Sequence, residues 1–412
     1  MSHAIRRAST QRTAESQVAA AARRGSPTLL VVVIAYLIFI FLGIPDGMLG
    51  VAWPSIQGAF GLALGQMGVL LAASTAGFLL TSFSAGRLIT GLGISRLLII
   101  ATVLRGAALV GMGLAPSWLF MVSAAFLFGL ASGCVDGGLN TYFAMNLSPR
   151  LMNWLHASYG LGATFGPILM TTLLSLSLAW RWGYVIVGVL QASLALLIFA
   201  RADAWQLRSA ADSQSTARQL EKVSYRTTLR RPIVWINVMI FFLYSGLEIT
   251  AGNWSYTLFT EGRGVPVATA GFWVSIYWAS FTMGRFVFGI IADRVKPINA
   301  TRVMIAIGGL AATLIWWNPV DLVSFLALAL MGFVMAPIFP LLISTTPTRL
   351  GVRDATNAIG FQVAAASVGI AVMPGLAGAI AERTSLEAIP PFMVVATILL
   401  FVLHEVAVRK HA

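Results

Sequence analysis

The chain has 412 residues, of which 58% are hydrophobic and only 10% are charged. Soluble domains carry about a quarter charged residues, so this composition indicates an integral membrane protein. The net charge of +13 does not indicate a nucleic-acid partner, because the basic residues lie between apolar runs, as they do in multi-pass membrane proteins.

The residue types needed for a cofactor or an enzyme are scarce. The single cysteine, Cys134, excludes a disulfide framework, and the four scattered histidines form no metal-ligand spacing. The sequence contains neither a phosphate-binding glycine loop followed by Lys-Ser/Thr nor a nucleophile elbow. We therefore expect no enzymatic activity and no bound cofactor or metal, and we expect transport energy to come from an ion gradient rather than from ATP.

Residues 1–27 are polar and rich in arginine. The apolar run that follows them lacks a small-residue cleavage site, which argues against a cleaved signal peptide. The sequence therefore predicts a cytoplasmic N-terminal tail.

Twelve apolar runs follow the tail, and each is long enough to span a membrane as a helix. They lie at residues 28–54, 62–85, 97–115, 118–147, 153–178, 182–200, 233–259, 267–291, 301–317, 320–346, 355–381 and 388–407. If both termini are cytoplasmic, the loops predicted outside keep only Arg181, Arg263 and Arg383, whereas the cytoplasmic side collects most of the other basic residues. This asymmetry predicts a multi-pass protein of the inner (plasma) membrane with both termini inside.

One long hydrophilic segment, residues 201–232, divides the chain into six predicted helices on either side. The sequence thus predicts an N-terminal bundle at 28–200, a cytoplasmic linker at 201–232, a C-terminal bundle at 233–407 and a cytoplasmic tail at 408–412. The two bundles share residue spacings in the same order. An acid precedes a glycine by four residues at Asp46 and Gly50 in the first bundle and at Glu248 and Gly252 in the second. A glycine precedes a proline by five residues at Gly162 and Pro167 in the first bundle and at Gly369 and Pro374 in the second. Such matches indicate a duplicated six-helix unit.

The loop Gly289-Ile290-Ile291-Ala292-Asp293-Arg294 resembles the cytoplasmic signature of the major facilitator superfamily. Among the families of that superfamily, the fucose:proton symporter family is the one that Gly133-Cys134-Val135-Asp136 with Asn140 resembles. The segment from Arg150 to His156 resembles the same family. That family commonly has Gln where His156 stands, and it places its first-helix acid where Gly50 stands. The resemblance implies an all-α fold of twelve membrane helices in two pseudo-symmetric six-helix bundles that rock around a central cavity.

Three acids within apolar runs are candidates for proton coupling: Asp136, Glu248 and Asp46. Intramembrane carboxylates are functional by default, and the resemblance implies a proton-coupling role for Asp136. The alternatives are a carboxylate fixed to a neighbouring donor for Asp136, and a position near the outer water at the end of the first helix for Asp46.

Polar and aromatic residues within the predicted helices are candidates for solute contacts. Amides and hydroxyls suit sugar hydroxyls, and aromatic faces suit sugar C–H groups. The candidates are Asn140, His156, Tyr159, Tyr244, Trp273, Tyr277, Asn357 and Gln362. For His156 the alternative is a cap at the start of the fifth helix near the lipid headgroups.

Two charged positions concern conformation rather than solute. Asp293 and Arg294 follow the eighth run, where a salt bridge at the cytoplasmic face would gate the cavity.

Arg105 lies in the middle of the third run, where it would either pair with a buried acid or extend its side chain toward the membrane surface.

These observations predict a monomeric secondary transporter whose partners are protons, lipid and a small solute. The leading hypothesis is proton-coupled symport of a small polar solute, a monosaccharide or a related polyol, by alternating access. The alternative is a proton-coupled exporter of drugs or metabolites, which the methionine and aromatic content would suit.

Overall fold

The computed structural model describes residues 29–205, 225–291 and 294–409. The predicted N-terminal tail, the middle of the linker and the gating candidate Asp293 lie outside the described residues. Within the described ranges all long regular elements are α-helices, and no strand occurs there.

The first half consists of six helices joined by short loops. They are α1 (Leu29–Phe60), α2 (Gln66–Leu92), α3 (Ile94–Gly113), α4 (Trp118–Asn146), α5 (Pro149–Ser175) and α6 (Arg181–Ala200). A one-turn helix, Tyr225–Leu229, precedes the second half.

The second half repeats the pattern with one interruption. Its helices are α7 (Pro232–Thr257, continued by a π-turn at Leu258–Gly262), α8 (Val267–Ile291), α9 (Pro297–Trp317), α10a (Asp321–Met335), α10b (Ile338–Leu350), α11 (Val352–Arg383) and α12 (Ile389–Arg409). In the described ranges, eleven segments are long and apolar enough to cross a membrane. The more polar α5, with 27 residues, is long enough to be a twelfth.

Twelve successive spans place Leu29 and Arg409 at the same end of the bundle, which we call the terminal face; the opposite end is the far face. The run predicted at residues 320–346 corresponds to one candidate span, Asp321–Leu350, in which the helix breaks at Ala336 and Pro337 before it continues. Pro337 and Pro340 lack the backbone N–H groups that would continue the helical ladder, which explains the break.

Both halves pack their helices in the same way. Gly162 of α5 lies against the carbonyl of Ile40 in α1, and Gly369 of α11 lies against the carbonyl of Phe242 in α7. Neither contact leaves room for a Cβ atom, so glycine is required at both positions. The glycine-proline spacing found in the sequence therefore marks equivalent helix pairs in the two halves.

The two halves touch at the far face and in the middle of the bundle. A Cβ on Gly68 of α2 would lie 2.6 Å from the Cα of Gly375 in α11, and a Cβ on Gly50 of α1 would lie 2.7 Å from the Cα of Asn253 in α7. Nearer the terminal face, Gly160 of α5 packs on the side chain of Thr282 in α8. The halves are thus closely packed wherever these glycines lie.

One turn beyond Gly160 toward the terminal face, the packing ends. His156 is exposed, although it lies close enough to Arg285 of α8 to feel its charge. Gly289 of α8 and Gly360 of α11 have open space around them. At these glycines the halves are therefore in close contact from the far face to Gly160, and the contact ends beyond it toward the terminal face.

Candidate transport cavity

Asp46 lies in the middle of α1, and its carboxylate accepts a 2.6 Å hydrogen bond from the hydroxyl of Tyr159 in α5. The alternative of a helix-end position near the outer water is wrong for Asp46, because α1 continues fourteen residues further to Phe60. Tyr159, predicted as a solute contact, is thus the direct partner of an acid.

Arg105 is a cation whose charge acts on Asp46, and it is completely buried in α3. Its Nε donates to Ser132 at 2.9 Å, one Nη donates to Gln191 at 3.0 Å, and the guanidinium lies 4.5 Å from the ring centre of Phe128. The suggestion that this side chain extends to the membrane surface is therefore wrong.

The remaining donors of Arg105 explain why α1 tolerates a proline at its centre. Pro45 cannot donate to the carbonyl of Phe41, four residues earlier. Arg105 supplies the missing donor, bonding that carbonyl through Nη1 and the next one, Leu42, through Nη2, both at 2.9 Å. The arginine therefore stabilises the irregular turn that carries Asp46 and also balances part of its charge.

A small cavity of about 40 Å³ lies beside Asp46, within the first half. It is lined by side chains of α1 to α4 and by Tyr184 of α6, whose buried hydroxyl has no hydrogen-bond partner in the described structure. A volume of this size accommodates one or more water molecules. The structure therefore provides room for water directly next to the carboxylate.

Glu248 occupies the middle of α7, the second-half equivalent of α1. The hydroxyl of Tyr244, one turn earlier, donates to the carbonyl of Met335 at 2.9 Å and lies near the Glu248 carboxylate. The hydroxyl of Tyr277 in α8 donates to the backbone carbonyl of Glu248 at 2.8 Å. Two of the predicted solute contacts therefore hold this acid and its helix.

Arg285 of α8 is a cation whose charge acts on Glu248. Its guanidinium lies 4.5 Å from the ring centre of Phe281, and its Nε approaches the carbonyl of Ala336 at 3.5 Å, at the break in α10. His156 and Tyr159 of the opposite half are electrostatic neighbours of this group. Arg285 therefore lies at the boundary between the halves.

The structure brings five of the predicted residues into one network: Asp46, Tyr159, Glu248, Tyr244 and Tyr277. Tyr159 connects it across the halves, because it bonds Asp46 and lies near the charges of Glu248 and Arg285. Arg105 and Arg285 complete the network, and sequence reasoning assigned neither of them to the site.

Asp136 lies on α4, apart from this network. Its hydrogen-bonding neighbour is Asn140, one turn later, and the buried amide oxygen of Asn140 has no partner in the described structure. Gly137, between them, packs on Ala85 of α2. The predicted pair of Asp136 and Asn140 is thus a second, smaller polar site.

Three predicted solute contacts have other neighbours. Trp273 stacks on Phe325 of α10a with ring centres 5.3 Å apart, in apolar surroundings. Gln362 is buried and accepts a 3.1 Å hydrogen bond from Thr346. The amide of Asn357 donates to Thr228 in the one-turn helix at 3.3 Å. The structure places these residues in packing within the second half rather than beside Tyr159.

The gating candidates are only partly visible. Arg294 is exposed at the terminal face, and Asp293 lies outside the described residues. The structure therefore gives no contact between them.

Comparison with known proteins agrees with this architecture. The sequence profile of the Major Facilitator Superfamily matches residues 35–361. The crystal structure of a bacterial homologue of the human lysosomal transporter Spinster has a TM-score of 0.72 at 14% identity, over 92% of this chain and 96% of that one. The crystal structure of a mutant of the nucleoside transporter NupG has a TM-score of 0.74 at 13% identity, over 92% and 99% of the two chains. A mutant of the E. coli fucose:proton symporter FucP has a TM-score of 0.63 at 16% identity, with the same coverage.

Curated relatives are distant. Bypass of stop codon protein 6 of Saccharomyces cerevisiae is 21% identical, over 70% of this chain and 66% of its own length. The Probable sulfoacetate transporter SauU of Cupriavidus necator is 21% identical, over 84% of this chain and 85% of its own length. Sodium-dependent glucose transporter 1 of Homo sapiens is 21% identical, over 68% of this chain and only 60% of its own length.

The twelve-helix architecture, the duplicated halves and the match over most of the chain lead to one assignment. This multi-pass membrane protein is a transporter, not an enzyme, and it belongs to the Major Facilitator Superfamily.

Proposed function

We propose that this protein couples proton movement to the transport of a small polar solute through the cavity between its halves. The observation that carries the proposal is the network linking Asp46 and Glu248, which occupy equivalent helices of the two halves and approach the same side chain, Tyr159. A rocking motion that separates the halves would change the surroundings of both acids together.

The physical basis of coupling is the cost of a charge away from water. An ionised carboxylate is expensive to enclose in a low-dielectric interior, whereas its protonated form is not. Proton binding to Asp46, Glu248 or Asp136 would therefore favour the occluded state through which the loaded carrier passes. Opening to water on the other side would favour proton release.

The solute in this proposal carries hydroxyl groups, as a monosaccharide or a polyol does. The unpaired amide oxygen of Asn140 and the ring of His156 supply hydrogen-bonding atoms for such a solute. Two similar proteins, named for fucose and for glucose, support the sugar class. Asn357, Gln362 and Trp273 would contribute less, because each already has a packing role.

The terminal face is cytoplasmic in this proposal, and the described conformation is inward-open. Arg87, Arg96 and Arg150 all lie at that face and are exposed. Their position follows the positive-inside preference of membrane proteins. The carrier would then release solute into the cell from the conformation described.

The test is uptake of radiolabelled solutes into proteoliposomes that contain the purified protein. The expected result is accumulation when the outside is made acidic, and loss of accumulation in the variant Glu248→Gln. Accumulation that requires an acidic interior would indicate antiport instead. Equal accumulation with and without a gradient would overturn proton coupling.

A further inference from the structure

We propose that the guanidinium of Arg285 binds an acidic group of the transported solute, so that the cargo is a small organic acid bearing a carboxylate or a sulfonate. This inference rests on the proposed transport function and specifies its substrate class. A hydroxylated acid, such as a sugar acid, satisfies both the hydroxyl contacts and this cation.

The first argument is a comparison of two arginines near the same network. Arg105 uses four hydrogen bonds, from Nε and both Nη atoms, and has no exposed surface. Arg285 makes one long bond, from Nε to Ala336 at 3.5 Å, and neither of its Nη atoms has a bond to a described residue. The guanidinium of Arg105 therefore uses its donors within the fold, whereas that of Arg285 has four N–H donors available on its two Nη atoms.

The second argument is accessibility. Arg285 is only half-buried and lies level with the exposed His156, at the point where the contact between α5 and α8 ends. The ring of Phe281 supports one face of the guanidinium, and the Ala336 carbonyl holds its Nε edge. The Nη edge has no partner among the described residues, so it is available to form two parallel bonds to a carboxylate or sulfonate.

The third argument is charge balance. The titratable groups around Arg285 are Glu248 and Tyr244 of α7 and Tyr159 and His156 of α5. With the cavity empty, the Glu248 carboxylate balances the guanidinium. An anion bound at Arg285 would repel that carboxylate, which would take up one proton from the adjoining water and become neutral. Solute anion and proton would then enter together as an electrically neutral load.

Binding measurements on the purified full-length protein test the site directly. The probes are glucuronate and glucose, which differ in one carboxylate, together with sulfoacetate as a compact sulfonate. The variants are Arg285→Gln, Arg285→Lys and, as a matched control for charge removal, Arg96→Gln at an exposed position of α3.

At least one acid should raise the melting temperature of the wild type and of Arg96→Gln, while glucose at the same concentration should not. Affinity should fall about tenfold or more in Arg285→Gln, and Arg285→Lys should recover part of it. Glucose binding as tight as glucuronate binding, no binding of either acid, or unchanged acid binding by Arg285→Gln would each overturn the inference.

Uptake of the same probes separates this inference from transport itself. If an acid binds through Arg285 but does not accumulate under a proton gradient, the result supports the anion site and contradicts the proposed symport. If a neutral sugar accumulates under the gradient equally well in wild type and Arg285→Gln, symport stands and the anion site fails.

Discussion

Tyr159 of α5 donates a 2.6 Å hydrogen bond to Asp46 of α1, and this bond joins the two helices at the centre of the first half. The same tyrosine lies near Glu248 and Arg285 of the second half. The hydroxyl of Tyr159 therefore interacts electrostatically with an acid from each half.

Removing that hydroxyl in Tyr159→Phe should weaken coupling without disrupting the fold. A hydrogen bond to a charged group contributes about 1.5–3 kcal/mol, so gradient-driven accumulation should fall about tenfold or more. Exchange of solute at equal pH should persist, because the cavity remains intact. The measurement is uptake and exchange in the same proteoliposomes, with Tyr36→Phe, whose hydroxyl bonds the carbonyl of Leu151, as the control. Wild-type accumulation by Tyr159→Phe would show that the bond is only structural.

Arg105 should be required for stability. Arg105→Met would leave the carbonyl of Phe41 without a donor, remove a hydrogen bond to the carbonyl of Leu42 and remove the positive charge that acts on Asp46, at a cost of about 3–5 kcal/mol in the free energy of unfolding. Arg105→Lys should restore little, because an ammonium group cannot span the same acceptors. Denaturant unfolding in detergent measures this, with the exposed Arg96→Met as the control.

A double-mutant cycle with Asp46→Asn separates the two roles of Arg105. If charge balance contributes, Asp46→Asn should recover about 0.5–3 kcal/mol of the loss caused by Arg105→Met. Strict additivity of the two effects would mean that the arginine serves only the α1 carbonyls. An Arg105→Met protein as stable as wild type would contradict both roles.

The acids could be predicted because a carboxylate in an apolar run is conspicuous, and Tyr159, Tyr244 and Tyr277 could be predicted because they are polar aromatic residues within predicted spans. The sequence did not identify the partner of Arg105. That partner is a pair of backbone carbonyls in α1, and nothing in the sequence shows that α3 lies against them. Arg285 lies within the predicted eighth span, but whether its Nη donors have partners depends on the packing of α5, α8 and α10, which the sequence does not show.

Two prolines in the sequence indicate the break in α10. Pro337 and Pro340 lie three residues apart within a run that hydropathy alone treats as continuous. Hydropathy measures transfer to lipid and is insensitive to a missing backbone donor, so it predicts the span but not its interruption.

The far-face closure should depend on the pair Gly68 and Gly375. Gly68→Val would place side-chain atoms where the two Cα atoms now approach, and the halves would have to separate at that face. A reporter cysteine at Ala379, which faces Gly65 across the contact, should then react faster with a membrane-impermeant maleimide, in a Cys134→Ser background. The expected change is about tenfold in rate if the closed state is disfavoured by about 1.4 kcal/mol.

The control for this experiment is Gly360→Val, because a Cβ at Gly360 meets nothing within 4 Å. It should leave the labelling rate unchanged. Equal labelling rates in Gly68→Val and wild type would show that this glycine pair does not hold the far face closed.

The one-turn helix Tyr225–Leu229 should stay attached to α11 at neutral and mildly acidic pH and should detach only at low pH, where Asp354 becomes protonated. Asp354, which precedes the apolar part of α11, accepts hydrogen bonds from Thr228 at 2.7 Å and from Arg231 at 2.5 Å. These donors, Thr228 first, lower the pKa of Asp354 below its ordinary value. A lowered pKa means that the contribution is complete above the unfolded-state pKa, about 4, and is lost as pH falls through the folded-state value.

Hydrogen exchange of residues 225–229 measures this attachment. Protection should be unchanged between about pH 5 and pH 7, and Asp354→Asn should reduce it at both values because the ion pair to Arg231 is lost. A decrease in protection near neutral pH in the wild type would contradict the assignment to Asp354.

Asp136 gives the sharpest test of which acid carries the proton. It hydrogen-bonds to Asn140 and stands apart from the network of Asp46 and Glu248. Asp136→Asn keeps the shape of the protonated acid but cannot release a proton. If Asp136 carries the coupled proton, gradient-driven accumulation should disappear in this variant, whereas solute binding and exchange at equal pH should remain. Asp136→Glu should retain partial uptake. Each variant is measured as radiolabelled uptake into proteoliposomes, with and without a proton gradient, beside Asp46→Asn and Glu248→Gln. If Asp136→Asn accumulates solute as the wild type does while Glu248→Gln does not, the proton is carried by the network between the halves. The site on α4 would then serve the solute alone.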